Sequence, residues 1–136
     1  EAGAPEVRVF NRTRERADAI ATHFGPRVQA FDWEQRVGRS ADVGILVNAT
    51  SLGMTGSAPL DMDVASLANA CIVADIVYAP LTTPLLAAAR RRGLIAVDGL
   101  GMLLHQAVPG FERWFGVRPQ VTDELRDLIV ADLGAA

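Results

Sequence analysis

The chain contains no lysine: all thirteen of its basic residues are arginine. Any mechanism that needs a lysine acid, base or Schiff-base amine therefore cannot run on these residues alone. There is one cysteine, Cys71, which excludes an internal disulfide. Its position at the head of Cys71-Ile72-Val73-Ala74 predicts a buried, inert thiol, and a reducing, cytoplasmic setting agrees with that reading. No apolar run approaches the length of a membrane span, so no membrane partner is expected. Glu1-Ala2-Gly3-Ala4-Pro5 lacks the basic-then-apolar order of a secretory signal. Thirteen basic against sixteen acidic residues give a formal net charge of -3, which is not the footprint of a nucleic-acid binder. The two histidines, His23 and His105, stand without a second histidine or a cysteine at ligand spacing, so no metal site is expected.

What the chain does have is apolar material. Half of its 136 residues are hydrophobic, enough for one ordinary packed domain. Residues 7–10 alternate and are β-branched, which predicts a strand. Thr13 then stands as N-cap of a helix to about Phe24, stopped by Gly25-Pro26, with Ala17, Ile20, Ala21 and Phe24 on one face. Val28 marks a very short strand, and Asp32-Trp33-Glu34 begins a single helical turn. Residues 42–48, 72–77 and 94–97 are nearly continuous apolar runs, as expected of parallel strands buried on both faces. Residues 49–59 form a loop, and residues 64–69 a short helix. Thr83-Pro84 opens a helix ending at Arg90-Arg91-Arg92-Gly93, whose arginines suit a solvated helix C-terminus. Residues 99–115 form a long helix, and Thr122 caps a last one carrying Leu125, Leu128, Ile129 and Leu133. Trp33 and Trp114 are expected to pack. Strand and helix alternate, so the expected class is α/β: a Rossmann-like parallel sheet with helices on both faces. Such a fold normally begins with a strand and a glycine-rich phosphate turn. Neither precedes residues 7–10, so the fold is expected to be truncated at its N-terminal edge.

Four strand-end segments could carry chemistry. Asn11-Arg12-Thr13, followed by Arg14 and Arg16, stands where dinucleotide folds meet the adenosine ribose. An acid there accepts from the 2′-hydroxyl of NAD, whereas arginines and a hydroxyl suit the 2′-phosphate of NADP. A plain threonine cap before a solvated arginine face explains the same residues. Asn48-Ala49-Thr50-Ser51-Leu52-Gly53-Met54 offers small and hydroxyl residues that let a ligand approach the backbone, or forms an ordinary polar turn. Asp75-Ile76-Val77-Tyr78 puts a tyrosine at a strand end, its hydroxyl turned to a crevice or its ring packed. Asp98-Gly99-Leu100-Gly101-Met102 resembles a dinucleotide fingerprint but has Leu104 where the third glycine belongs, so that match fails. Gly99 and Gly101 still admit a flat ring, and Gln106 shares a helix face with Met102.

Taken in order, these four segments, with Thr83-Pro84-Leu85-Leu86 and Gln106-Ala107, resemble the C-terminal portion of the shikimate dehydrogenase family over nearly the whole chain. The resemblance implies that residues 1–136 are an NADP-binding Rossmann-like domain with a C-terminal helix at 121–133, separated from an N-terminal substrate domain. It implies reduction of 3-dehydroshikimate to shikimate with NADPH, in aromatic amino-acid biosynthesis. Asn11, Arg12, Thr13 and Arg16 would meet the 2′-phosphate. Ala49, Thr50, Ile76, Gly99 and Met102 would follow the cofactor toward its nicotinamide, and Tyr78 and Gln106 would face a small-molecule substrate. The family's catalytic lysine and aspartate belong to the N-terminal domain, so no catalytic residue is expected here and the chain alone is expected to be inactive. Two other readings stay open: a quinate/shikimate dehydrogenase paralogue, and a non-catalytic module that folds and self-associates as a homo-oligomer.

Overall fold

The computed structural model describes residues 3–135. The chain divides into two compact units, residues 1–43 with 66–68, and residues 44–65 with 69–136.

The first unit is a β-α-β crossover of parallel strands. β1 (Val7–Asn11) and β2 (Val28–Asp32) pair in register, Val7 against Val28 and Asn11 against Asp32. Parallel strands require a crossover, here α1 (Arg14–Phe24), which packs on both strands and buries Ala17. The Phe10 and Phe31 rings stack with centroids 5.7 Å apart. β2 is a full strand rather than the very short one expected at Val28, because each of its residues is paired with β1. The turn expected at residue 32 is a 3₁₀ turn over Trp33–Gln35. Arg36 lies 4.6 Å over the Trp33 ring.

The second unit carries three parallel strands in the order β3 (Ile45–Asn48), β4 (Ile72–Asp75) and β5 (Ile95–Val97). α2 (Pro84–Arg91) packs on β4 and β5, with Leu85, Leu86 and Ala89 buried. Its start is as the sequence predicts: Thr83 Oγ1 accepts from Leu86 N, and Pro84 occupies the first turn. α3 (Gly99–Phe115) is capped by Asp98, whose carboxylate accepts from Leu100 N, and ends at Gly116 in the left-handed region. α4 (Asp123–Ala135) follows, with Thr122 Oγ1 accepting from Leu125 N. Arg126 on α4 reaches Asp98 at 2.6 Å and ties the last helix to the start of α3.

The α/β class and the parallel pairing are those expected. Burial on both strand faces is not. Side chains alternate across a strand, and the register puts Ile45, Ile72 and Ile95 on one face with Val47, Ala74 and Val97. On that face Ile45 is 61% and Ile95 63% exposed, whereas Val73 on the other face is fully buried. Apolar composition on both faces measures a capacity for cover, and among the described residues only one face has it. Trp114, expected to pack, is 79% exposed near the end of α3. The short helix expected at residues 64–69 is a 3₁₀ turn over Val64–Ser66. No helix of the described residues is long and apolar enough to cross a membrane.

Leu86 is fully buried between α2 and the sheet. Leu86→Ala should cost about 3 kcal/mol in urea unfolding, the usual penalty for an unfilled core site. A loss below about 1 kcal/mol would show that α2 does not pack as described. Cys71 is buried and burial pushes its thiol pKa up. It should resist iodoacetamide at pH 8 in the folded chain and react once the chain is denatured.

Candidate functional site

The carboxyl ends of β3 and β4 are joined by one buried side chain. Asp75 closes β4 at 2% exposure, where an unpaired carboxylate would be very costly. It is fully engaged. Its Oδ1 accepts from Asn48 Nδ2 and from Val77 N, both at 3.0 Å, and its Oδ2 accepts from Thr83 Oγ1 at 2.7 Å. Asn48 extends the network into the next turn. Its Nδ2 also donates to the Leu52 carbonyl, and its Oδ1 accepts from the backbone N and the hydroxyl of Thr50. Thr50 Oγ1 in turn accepts from Leu52 N. The Asn48–Leu52 turn, the 76–79 segment and the start of α2 are thus fixed by side-chain hydrogen bonds rather than by strand pairing.

Beside the first two of these segments lies an open cavity of about 350 Å³ lined by Ala49, Thr50, Ser51, Met54, Ile76, Val77, Tyr78 and Ala79. Four of the expected residues, Ala49, Thr50, Ile76 and Tyr78, therefore come together. Ser51, Met54, Val77 and Ala79 also line it; the first three lie in the segments read as able to carry chemistry but were given no role of their own. The network behind the cavity was missed as well. Its signal is an acid at the end of an apolar strand, followed by a threonine eight residues later.

Gly99 stands against the same segment. A Cβ on it would fall 2.2 Å from the Ile76 carbonyl oxygen, so only glycine lets α3 begin this close to β4. Met102 and Gln106 follow on α3, both exposed and outside the cavity lining.

In the first unit the expected residues occupy the turn from β1 into α1. Thr13 is the N-cap residue, but its hydroxyl makes no cap bond. The turn is shaped instead by Asn11, whose Oδ1 accepts from Thr13 N at 2.9 Å. Arg12 and Arg16 are exposed and have no partner among the described residues. Arg14 is different: it is held by Asp18 at 2.9 Å and Asp32 at 2.8 Å. Two arginines and one hydroxyl are thus left to meet an anion beside the first amides of α1.

Parallel strands joined through helices, with a cavity at their carboxyl ends, define a Rossmann-like α/β class. Within that class the chain is similar to the shikimate dehydrogenases. The family model described as Shikimate 5'-dehydrogenase C-terminal domain matches residues 99–123. The chain is 59% identical over 133 residues to the shikimate dehydrogenase (NADP(+)) of Azorhizobium caulinodans, covering 98% of this chain and 47% of that one. It is 61% identical over 134 residues to that of Methylobacterium radiotolerans, again covering 98% and 47%. Among solved structures, quinate dehydrogenase from Corynebacterium glutamicum in complex with NAD superposes with a TM-score of 0.84 at 31% identity, over 95% of this chain and 47% of that one. Shikimate 5-dehydrogenase from Thermus thermophilus in complex with NADP(H) and shikimate gives 0.70 at 34%, over 85% and 42%. The chain is related to the C-terminal portion of shikimate dehydrogenases and spans about half the length of the curated relatives it matches.

Asp75→Ala should destabilise the chain by about 3 kcal/mol or more, because it strands buried donors on Asn48, Val77 and Thr83. Asp75→Asn keeps an acceptor for two of them and should cost roughly 1 kcal/mol. Equal losses in thermal or urea unfolding would show that the hydrogen bonds do not hold these turns. Gly99→Ala should lower stability by about 2–3 kcal/mol, as overpacking against a rigid backbone does, and an unchanged melting temperature would contradict the close approach.

Proposed function

We propose that the chain is the NADP-binding portion of a shikimate dehydrogenase, whose whole protein reduces 3-dehydroshikimate to shikimate with NADPH in aromatic amino-acid biosynthesis. In the first unit, Asn11, Arg12, Thr13 and Arg16 are assigned to the adenosine 2′-phosphate. In the second, Ala49, Thr50, Ile76, Gly99 and Met102 are assigned to the rest of the cofactor toward the nicotinamide, and Tyr78 and Gln106 to the substrate. Residues 1–136 then act as one cofactor domain, with an N-terminal substrate domain supplied by the remainder of the protein. The setting proposed is the cytoplasm.

The observation that carries the reading is the state of the β1–α1 turn. No acid stands at the end of β1, two arginines are unpaired, and the threonine hydroxyl is not used as a cap. The unused cap leaves the Thr13 hydroxyl and the first amides of α1 open to a phosphate. The bound nicotinamide would supply the hydride. This chain's part is to bind and orient: Asn11 shapes the turn, Asp75 and Asn48 hold the cavity wall, and Tyr78 lines the cavity. No lysine is present to act on a carbonyl oxygen, so the isolated chain should show no turnover.

The likeness to a quinate dehydrogenase in complex with NAD supports a quinate/shikimate paralogue as the second reading of the substrate, while the arginine set favours NADP over NAD. The exposed isoleucines of the second sheet support self-association, which sedimentation of the purified chain would reveal as a concentration-dependent homo-oligomer.

Ligand binding stabilises the folded chain by RT ln(1 + [L]/Kd), so the tighter ligand gives the larger melting-temperature shift at equal concentration. NADP should stabilise the chain more than NAD at equal concentration, and Arg12→Ala should reduce the NADP shift more than the NAD shift. Equal shifts, or none, would overturn the cofactor assignment. Oxidation of shikimate by the purified chain would overturn the claim that it is inactive alone.

A further inference from the structure

Arg14 is held where its neighbours are free. Its Nε donates to Asp18 Oδ1 at 2.9 Å and its Nη1 to Asp32 Oδ1 at 2.8 Å. The second bond joins the first residue of α1 to the last residue of β2. Asp32 is also the Cα partner of Asn11 across the β1–β2 register. The end of β1 is therefore free of acid in its own strand, yet the neighbouring strand places a carboxylate directly beside it. An acid near the adenosine ribose favours a free 2′-hydroxyl and repels a 2′-phosphate.

We infer that Arg14 determines cofactor specificity through Asp32, cancelling the carboxylate that would otherwise oppose a 2′-phosphate at Arg12 and Arg16. The inference rests on the cofactor reading above and adds to it a residue outside the proposed phosphate contacts. Arg14 acts as a positioning residue: its guanidinium is occupied by two acids and is not counted among the phosphate ligands. Both side chains of the Arg14–Asp32 pair are about half exposed. An ion pair of this kind contributes little to stability, so the consequence of the pairing lies in the local charge. Asp18 gives a natural comparison, since it meets the same guanidinium from α1, on the Nε side and away from the β2 strand end.

The test uses the purified chain with adenosine 2′,5′-bisphosphate and AMP, two probes that differ only in the 2′-phosphate, titrated calorimetrically at low salt. The readout is the ratio of their affinities, checked with NADP against NAD. Arg14→Gln should lower the bisphosphate preference roughly five-fold, the scale expected when one unit charge is exposed near a dianion through partly aqueous surroundings. Arg14→Lys should retain the preference. Arg14→Gln with Asp32→Asn should restore it, while Arg14→Gln with Asp18→Asn should leave it low. Failure of Asp32→Asn to restore the ratio would make Arg14 a direct phosphate ligand and overturn the inference. Equal restoration by Asp18→Asn would reduce the effect to net charge and overturn it too. An unchanged ratio in Arg14→Gln, with the wild-type preference intact, would sink this inference alone. Absence of any preference in the wild-type chain would sink the cofactor reading and the inference with it. Melting temperatures of the variants should stay close to wild type.

Discussion

A carboxylate buried at the end of β4 sets the shape of the second unit. Asp75 can remain at that position only if its lone pairs are filled, and they are filled by one donor from the end of β3, one from the chain just past β4, and one from the cap of α2. The first two of these segments lead into the turns that line the cavity beside the strand ends. The same threonine that donates to Asp75 accepts from Leu86 N, so the start of α2 and the end of β4 are specified together. Gly99 completes the arrangement from the other side, because its missing side chain lets α3 begin against the Ile76 carbonyl. Packing of Leu86 and Val73 stabilises the unit, but the placement of its turns follows from the acid.

The first unit works on the opposite principle. Most of its charges are exposed, Arg8 being half-buried, and what distinguishes them is which are paired. Arg8 meets Glu6 and Asp42, holding both acids below their ordinary pKa. Arg14 meets Asp18 and Asp32. The guanidinium groups of Arg12 and Arg16 have no hydrogen-bond or ion-pair partner among the described residues. Surface ion pairs stabilise little, so this division says more about where an anion can be received than about what holds the fold.

Much of this was legible in the residues. Thr83-Pro84 predicted the start of α2 because a hydroxyl cap and a fixed proline φ both favour it, and the long helix expected over residues 99–115 is α3. The segments at residues 49–51 and 76–79 were legible as strand-end segments, and they line one cavity. Less legible was anything set by pairing across the chain. Val28 looked isolated because the strand it opens is stabilised by β1, twenty-one residues earlier in register. Asp32 gave no sign of its position beside Asn11 for the same reason. The exposed face of Ile45 and Ile95 was read as buried because composition reports only what a surface could pack against. Thr13 looked like an ordinary cap, and only the geometry showed Asn11 shaping the turn with the hydroxyl left over.

The central claim is that the β1–α1 turn receives a 2′-phosphate. Backbone amide chemical shifts during parallel titrations with NADP and NAD test it most directly, since they report the site without requiring turnover. The account predicts that NADP perturbs the amides of residues 11–16 strongly and that NAD perturbs them much less, while the amides around the cavity at residues 49–51 and 76–79 respond to both. Equal perturbation of residues 11–16 by the two cofactors, or none by either, would contradict it.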